Sequence, residues 1–440
     1  MRCLTGSSAE WYRRAVRVRR LLVAGISAAA FLGATAGTAA AAGTFATEQV
    51  WQAGADDWEP TVALDPSSSY VYQMTTRYGG QKACGKGLNH CILMRASADG
   101  GATWGTARRL PATSNTTAQN DPEVKVASDG TVYAAWMNDF DVMFARSADH
   151  GATWSTPVNL RLQSGLHFTD KPILAISPTG ADVYIAFNSS DSYVATSHNR
   201  GATFAISART NSDGLYWFAE EGAVAPDGTV MFGESAEEQS GLGPVQLAIV
   251  RSTDGGAHWS TSFIGTSQER PPCTTSTCPV DFYGPQTAVA VDKSGKALAV
   301  YAANSTADGP MSLFSRTSTD DGATWTAPRP VSSAGSAVGA DFQQLATGPT
   351  AGDFRMVFMD DRNGPSAWNT WYIRTSGSGW TAPVRLSDAP SGAPYKSALG
   401  FVQPYGDYLG YAVSTGGTDY AIWGEGISYA GPGGAWFTHD

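Results

Sequence analysis

Short apolar segments separated by turns recur along most of the chain. TVALDPSSSYVYQM, EVKVASDGTVYAAW, PILAISPTGADVYIAF, GAVAPDGTVMFGE, TAVAVDKSGKALAVYA and QLATGPTAGDFRMVFM each alternate apolar and polar positions around a turn, with DG, TG, SG and AG pairs among the turn residues. A period of two puts successive side chains on opposite faces of a strand, and the turn residues reverse the chain, so each segment predicts a β-hairpin. One more copy, DYLGYAVSTGGTDYAIWGEG, starts near Asp407. First strands fall near residues 60, 122, 172, 222, 285, 343 and 407, a mean step of roughly 58 residues, which suits one four-stranded sheet per unit.

A second phrase repeats between these hairpins. It reads SADGGATW from Ser97, SADHGATW from Ser147, SHNRGATF from Ser197, STDGGAHW from Ser252 and STDDGATW from Ser318, and it ends in a shortened SGSGW from Ser376. The acidic side chains (Asp99, Asp149, Asp254, Asp320) are placed to accept hydrogen bonds from the backbone that follows, and the glycines supply a positive φ. The aromatic residue closing each phrase can fold back between sheets. Five near-copies cannot all be one active site, and they lack the spaced carboxylates of a calcium loop, so the phrase predicts a structural turn. Seven four-stranded units of this kind predict an all-β chain folded as a β-propeller, with seven blades expected and six as the alternative. The last unit supplies three strands, ending in GGAWFTHD, and residues 44–52 (TFATEQVWQ) are expected to add the fourth, closing the ring and covering its edges.

Composition agrees: 49 glycines with 14 Trp, 17 Tyr and 17 Phe favour short strands and tight turns over charged helices. Residues 1–42 stand apart. A cluster of arginines (Arg13, Arg14, Arg17, Arg19, Arg20) precedes an uncharged run from Leu21 to Ala42 that ends in small residues, the pattern of a cleaved secretory signal peptide and too weakly hydrophobic for a stable membrane anchor. The mature protein is then a single domain over 43–440, secreted and extracellular, and expected to be a monomer. Cleavage after Ala42 removes six arginines and one glutamate and takes the net charge from −10 to −15. So acidic a chain is not expected to bind nucleic acid, whose phosphates need a basic surface. The four remaining cysteines fall as two close pairs, Cys84 with Cys91 and Cys273 with Cys278; without CxxC spacing they predict two short-loop disulfides rather than a zinc site.

In such a ring, the residues before each first strand and after each second strand share one face, opposite the repeated phrases. That face carries Asp56, Asp57, Glu59, Asp121, Asp139, Lys171, Trp217, Glu220, Glu221, Tyr283, Asp361, Tyr405 and Tyr408, with Arg77, Trp136, Arg362 and Trp368 nearby. Carboxylates and aromatics together suit a sugar, whose rings stack on Trp and Tyr while its hydroxyls pair with acids. Acidic or lysine residues also precede prolines at Glu59-Pro60, Asp121-Pro122 and Lys171-Pro172. Converging carboxylates there could hold Ca²⁺, but proline beginning an inner strand is the plainer reading, and no cofactor is expected.

The repeated phrases resemble the Asp box, or BNR repeat, of the sialidase (neuraminidase) superfamily of β-propellers, and the resemblance covers essentially the whole mature chain. It implies a glycan-acting protein, most plausibly an exo-sialidase-like glycoside hydrolase; the superfamily also contains lyases and non-catalytic sugar-binding proteins, so a binding propeller is the alternative. Sialidases use a Tyr nucleophile helped by a Glu, with an Asp acid/base. By position along the ring, the resemblance implies Asp56 or Asp57 as acid/base, Glu220 or Glu221 as partner and Tyr405 or Tyr408 as nucleophile. Arg77, Trp136, Asp139, Trp217, Tyr283, Asp361, Arg362 and Trp368 are the expected substrate-binding residues, with Arg362 equally able to pair with Asp360 or Asp361. Where the family places an Arg-Ile-Pro motif to grip a carboxylate, this chain has Trp58, Glu59 and Pro60. That departure and the acidic rim count against an anionic sugar, so a neutral glycan is a variant of either reading, and the sugar is left unspecified.

Overall fold

The computed structural model describes residues 44–440 except 114–115, 167–169, 207–208, 212–213, 239–242, 270–283, 332–337, 365–366, 378, 394–404, 407 and 427–432. The expected signal segment and the Cys273/Cys278 pair lie outside the described residues. Seven antiparallel sheets follow one another along the chain, each ordered from its first strand outward, and together they form a seven-bladed β-propeller. The inner strands are Asp56–Leu64, Gln119–Val126, Ile173–Ile176, Tyr216–Val224, Thr287–Val291, Ala340–Thr347 and Gly410–Val413, which define blades 1 to 7. Blade 7 is completed from the other end of the chain: Gln49–Val50 pairs with Phe437 and Trp436, as the sequence predicted.

The core lies between blades rather than inside any one of them. A strand face becomes buried only when the next sheet covers it, and each junction has its own apolar cluster. Tyr72, Met74, Ile92 and Met94 meet Val132, Ala134 and Trp136 between blades 1 and 2. Phe144 meets Leu174, Ile185 and Phe187 between blades 2 and 3. At the seam, Val62 and Val71 of blade 1 pack on Ile422 and Phe437 of blade 7, with Trp51 from the N-terminal segment.

The recurring turns behave as their chemistry predicts, and they do one thing more. In the first, the Thr103 N–H and hydroxyl donate to Asp99 at 2.8 and 2.6 Å, and Gly101 N–H donates to Ser97 Oγ at 2.8 Å. The same bonds recur around Asp149 and Asp320; in the third turn Asn199 accepts from the Thr203 N–H and donates through Nδ2 to the Thr203 hydroxyl. Each turn also reaches back onto the preceding blade. Gly201 of blade 3, at φ +75°, lies so close to Phe144 of blade 2 that an added Cβ would overlap the ring. Glycine is therefore required there twice, for backbone conformation and for close approach.

Cys84 and Cys91 form a disulfide in the loop between the second and third strands of blade 1, on the face opposite the recurring turns. Among the described residues no helix is long and apolar enough to cross a membrane.

Gly201→Ala should cost about 3 kcal/mol or more, because positive φ and steric overlap add. Gly228→Ala, at φ +94° with nothing within 4 Å of the new methyl group, should cost only about 1 kcal/mol. Chemical denaturation of the two variants reads the difference, and equal losses would refute the close-approach role.

Candidate functional site at the channel mouth

Four inner strands enter the ring irregularly. Their pairing with the second strand shifts register between Trp58 and Thr61, Asn120 and Glu123, Ala219 and Glu221, and Asp341 and Gln344. Three of these bulges hold a non-glycine residue at positive φ: Glu59 (53°), Asp121 (56°) and Phe342 (58°). A left-handed residue with a side chain is strained by about 1 kcal/mol or more, and bulges re-aim side chains. Pro60 and Pro122 follow directly, where the ladder is already broken and a missing N–H costs nothing.

The two re-aimed acids meet across blades. Glu59 accepts from the Tyr78 hydroxyl at 2.7 Å with one oxygen and from the Asp121 N–H at 3.0 Å with the other. Asp121 in turn accepts from the Tyr408 hydroxyl at 3.4 Å, a bond that joins blade 2 to the segment entering blade 7. Lys171, entering blade 3, places its ammonium 4.3 Å from the centroid of the Tyr408 ring. His90 packs on Tyr78 at 4.3 Å and lies 3.2 Å from Asn120 Oδ1. Thus a phenol, a carboxylate and an ammonium from three separate blades converge at the axis.

Apart from Asp56, most other residues that the sequence placed in the site have structural duties. Asp57 is fully buried and gripped by Arg77 through Nε and Nη2, and Nη2 also donates to Gln52 Oε1 at 2.9 Å. Burial pushes the Asp57 carboxyl up even beside this guanidinium. Asp56 accepts from Trp58 Nε1 at 2.6 Å and from Gly433 N–H at 3.4 Å through the same oxygen.

Glu220 joins blade 4 to blade 5, accepting from the Ser235 hydroxyl at 2.7 Å and from the Thr287 N–H. Glu221 reaches past blade 5 to accept from the Leu345 N–H of blade 6 at 3.3 Å. Glu234 binds the Ser192 hydroxyl of blade 3 at 2.8 Å. Burial raises all three glutamates to about 8. The carboxylate that Tyr408 donates to is that of Asp121 rather than a mid-ring glutamate.

The tyrosines divide. Both are buried, but Tyr405 donates to Ala393 O at 2.7 Å and accepts from Trp368 N–H at 3.1 Å, whereas Tyr408 donates to Asp121. Trp136, Trp217 and Trp368 are 0, 0 and 1% exposed, so these three expected sugar platforms are packing residues with no open ring face. Asp139 caps Thr117 and Ala118 in its own blade. Asp361 binds the Gly339 N–H at 2.7 Å, and burial raises it to about 6. Arg362 pairs with Asp360 and lies 3.6 Å over the Trp371 ring, the structural alternative weighed from sequence. Tyr283 lies outside the described residues. Asp121, Glu59 and Lys171 were placed on this face from sequence, and before prolines, but were given no catalytic or binding role. Among the described residues no group of three or more His, Cys, Asp or Glu could hold a metal ion.

No protein-family model matches the chain. No curated protein matches it in sequence. A Dyadobacter fermentans protein of unknown function shares its architecture, with a TM-score of 0.53, 11% identity, and 90% of this chain and 98% of that one covered. A Hadza microbial sialidase overlays at a TM-score of 0.46 with 15% identity, covering 87% of this chain and 65% of that one. An ulvan lyase overlays at 0.48 with 14% identity, covering 69 and 76%. At these identities the likeness is one of fold.

The buried glutamates and the turn aspartates impose opposite pH limits on stability. Glu220, Glu221 and Glu234 titrate near 8 when folded against an ordinary 4.5, so their contribution is complete below 4.5 and lost as pH rises through 8. Asp99, Asp149, Asp254 and Asp320 are held near 2 by hydrogen bonds from side chains and backbone of their own turns, so their contribution is lost only as pH falls from 3.8 through 2. Melting temperature should peak at about pH 4 to 5 and decline toward pH 9, with a shallower decline in Glu221→Gln. A melting temperature that rises from pH 5 to pH 8 would contradict this assignment.

Proposed function

We propose that the protein is an exported, glycan-acting propeller whose site is the channel mouth, and that it cleaves a glycosidic bond with Tyr408 as nucleophile. The observation that carries the reading is the Tyr408 hydroxyl set against Asp121 with Lys171 on its ring. A phenol is a poor nucleophile until it loses its proton; a carboxylate within reach can take that proton, and a nearby cation stabilises the phenolate. In the first step, Asp121 receives the phenol proton as Tyr408 Oη bonds to the anomeric carbon, and the glycosidic bond to the leaving group breaks. Asp56, at the start of blade 1, is the acid proposed to protonate the departing oxygen. Water then releases the sugar from Tyr408, with Asp56 taking its proton and Asp121 returning one to the phenol. Glu59 is a positioning residue: its bond to the Asp121 N–H holds the strained bulge that aims the carboxylate.

A neutral glycan fits best, because acids outnumber bases at the mouth and Arg77 and Arg362 are already engaged by Asp57 and Asp360. The disulfide in the loop at residues 84–91 suits an oxidising compartment and supports export. A binding-only propeller is favoured by one observation: Asp57, Glu220 and Glu221, three of the carboxylates expected to do chemistry, are engaged in structural bonds.

Release of sugar from a panel of neutral and sialylated oligosaccharides separates the two readings. Tyr408→Phe and Asp121→Asn should each lower kcat by about a hundredfold or more while leaving glycan binding within about threefold. Glycan retention without product from any linkage would establish the binding protein instead.

A further inference from the structure

The face bearing the recurring turns is chemically unlike the mouth. Between blades 5 and 6 it opens into a cleft of about 360 Å³ lined by Lys296, Arg316, Arg329 and Trp380, and its lining contains no aspartate or glutamate. This concentration of cations stands out in a chain of net charge −10. None of the three forms an ion pair among the described residues. The Nε of Arg316 is buried without a hydrogen-bond partner, an arrangement that normally calls for an acceptor.

The propeller contains its own control. The junction between blades 1 and 2 has arginines at the matching positions, Arg95 two residues before the turn serine and Arg108 four after the turn tryptophan, as Arg316 and Arg329 are in blade 5. There the arginines are engaged by protein. Arg95 donates to Gln73 Oε1 and Trp51 O, both at 3.0 Å, and lies over the Trp51 and Trp104 rings, while Arg108 donates to Ala152 O in the turn of blade 2. The third matching position holds Tyr70, stacked on His150 of that same turn at 3.7 Å, where blade 5 has Lys296. The cleft left over is only about 190 Å³. In blade 6 the turn is cut down to Ser376–Trp380, and the glycines Gly377 and Gly379 line the space that a full turn would occupy.

We propose that the blade 5/6 cleft binds an anionic sugar residue, its carboxylate or sulfate held by Arg316 and Arg329 with Lys296, and its ring lying against Trp380. Guanidinium forks pair bidentately with such anions, and a half-buried indole offers an apolar face to a pyranose. The site is independent of the mouth and of any reaction there.

Calorimetric titration of the purified protein with trigalacturonate, a sulfated galactose trisaccharide, maltotriose and inorganic sulfate tests the assignment. One or both anionic oligosaccharides should bind at least about tenfold tighter than maltotriose and than sulfate alone, and should weaken as salt is raised. The tighter of the two identifies the anion. Arg329→Gln, on an exposed side chain, and Trp380→Ala should each weaken that binding about tenfold, with unchanged far-ultraviolet circular dichroism. The proposal is overturned by equal affinity for maltotriose, by sulfate binding as tightly as the oligosaccharides, or by affinity that survives both Arg329→Gln and Trp380→Ala, which would put the ligand elsewhere.

Discussion

A four-stranded sheet with two apolar faces cannot be stable by itself, and everything else in this protein follows from how those faces are covered. Each blade covers its neighbour, so the first and last must also meet, and the chain achieves this by lending Gln49–Val50 to blade 7. Closure removes the one exposed seam and fixes a common axis for the inner strands. The recurring turns strengthen the same junctions from outside, since each inserts a glycine against the blade before it. What sequence marks as a local hairpin device is therefore also an inter-blade contact.

Blade number, strand order and the closing strand were legible because they depend on periodicity and turn chemistry, which are local. The Cys84–Cys91 bridge was legible for the same reason. The site was legible only as a face. Trp136, Trp217 and Trp368 read as sugar platforms but are packed away, because tryptophan beside the axis is as useful for filling the narrowing space between sheets as for contacting ligand. Glu220 and Glu221 read as catalytic because they are acidic and mid-ring; their partners, Thr287 and Leu345, are backbone groups of other blades that no local pattern could disclose. Tyr408 differs from Tyr405, three residues earlier, only in what the fold sets opposite its hydroxyl.

The bulges explain how so regular a scaffold acquires chemistry. Regular strands would alternate their side chains between the two inter-blade packing faces. A one-residue irregularity, held at positive φ in Glu59 and Asp121, turns acids toward the axis and toward each other. The strain is sustained because the surrounding bonds, from Tyr78 and Tyr408, over-determine the geometry. The opposite face diverges by loss: one degenerate turn in blade 6 leaves arginines uncovered that blade 1 keeps covered.

Several of the axial contacts join blades that are not neighbours. Glu221 links blade 4 to blade 6, and Tyr408 and Lys171 tie the entry of blade 7 to blades 2 and 3. In geometrical terms these are chords of the circle. A ring held only by its rim can gain or lose a segment by duplication or deletion and close again at a new circumference. A ring with chords cannot, because every chord has a fixed span. The buried polar groups at the hub thus act as a gauge for the number of blades, and repeat expansion, the usual evolutionary freedom of a modular fold, is closed to this chain unless its centre is rebuilt first.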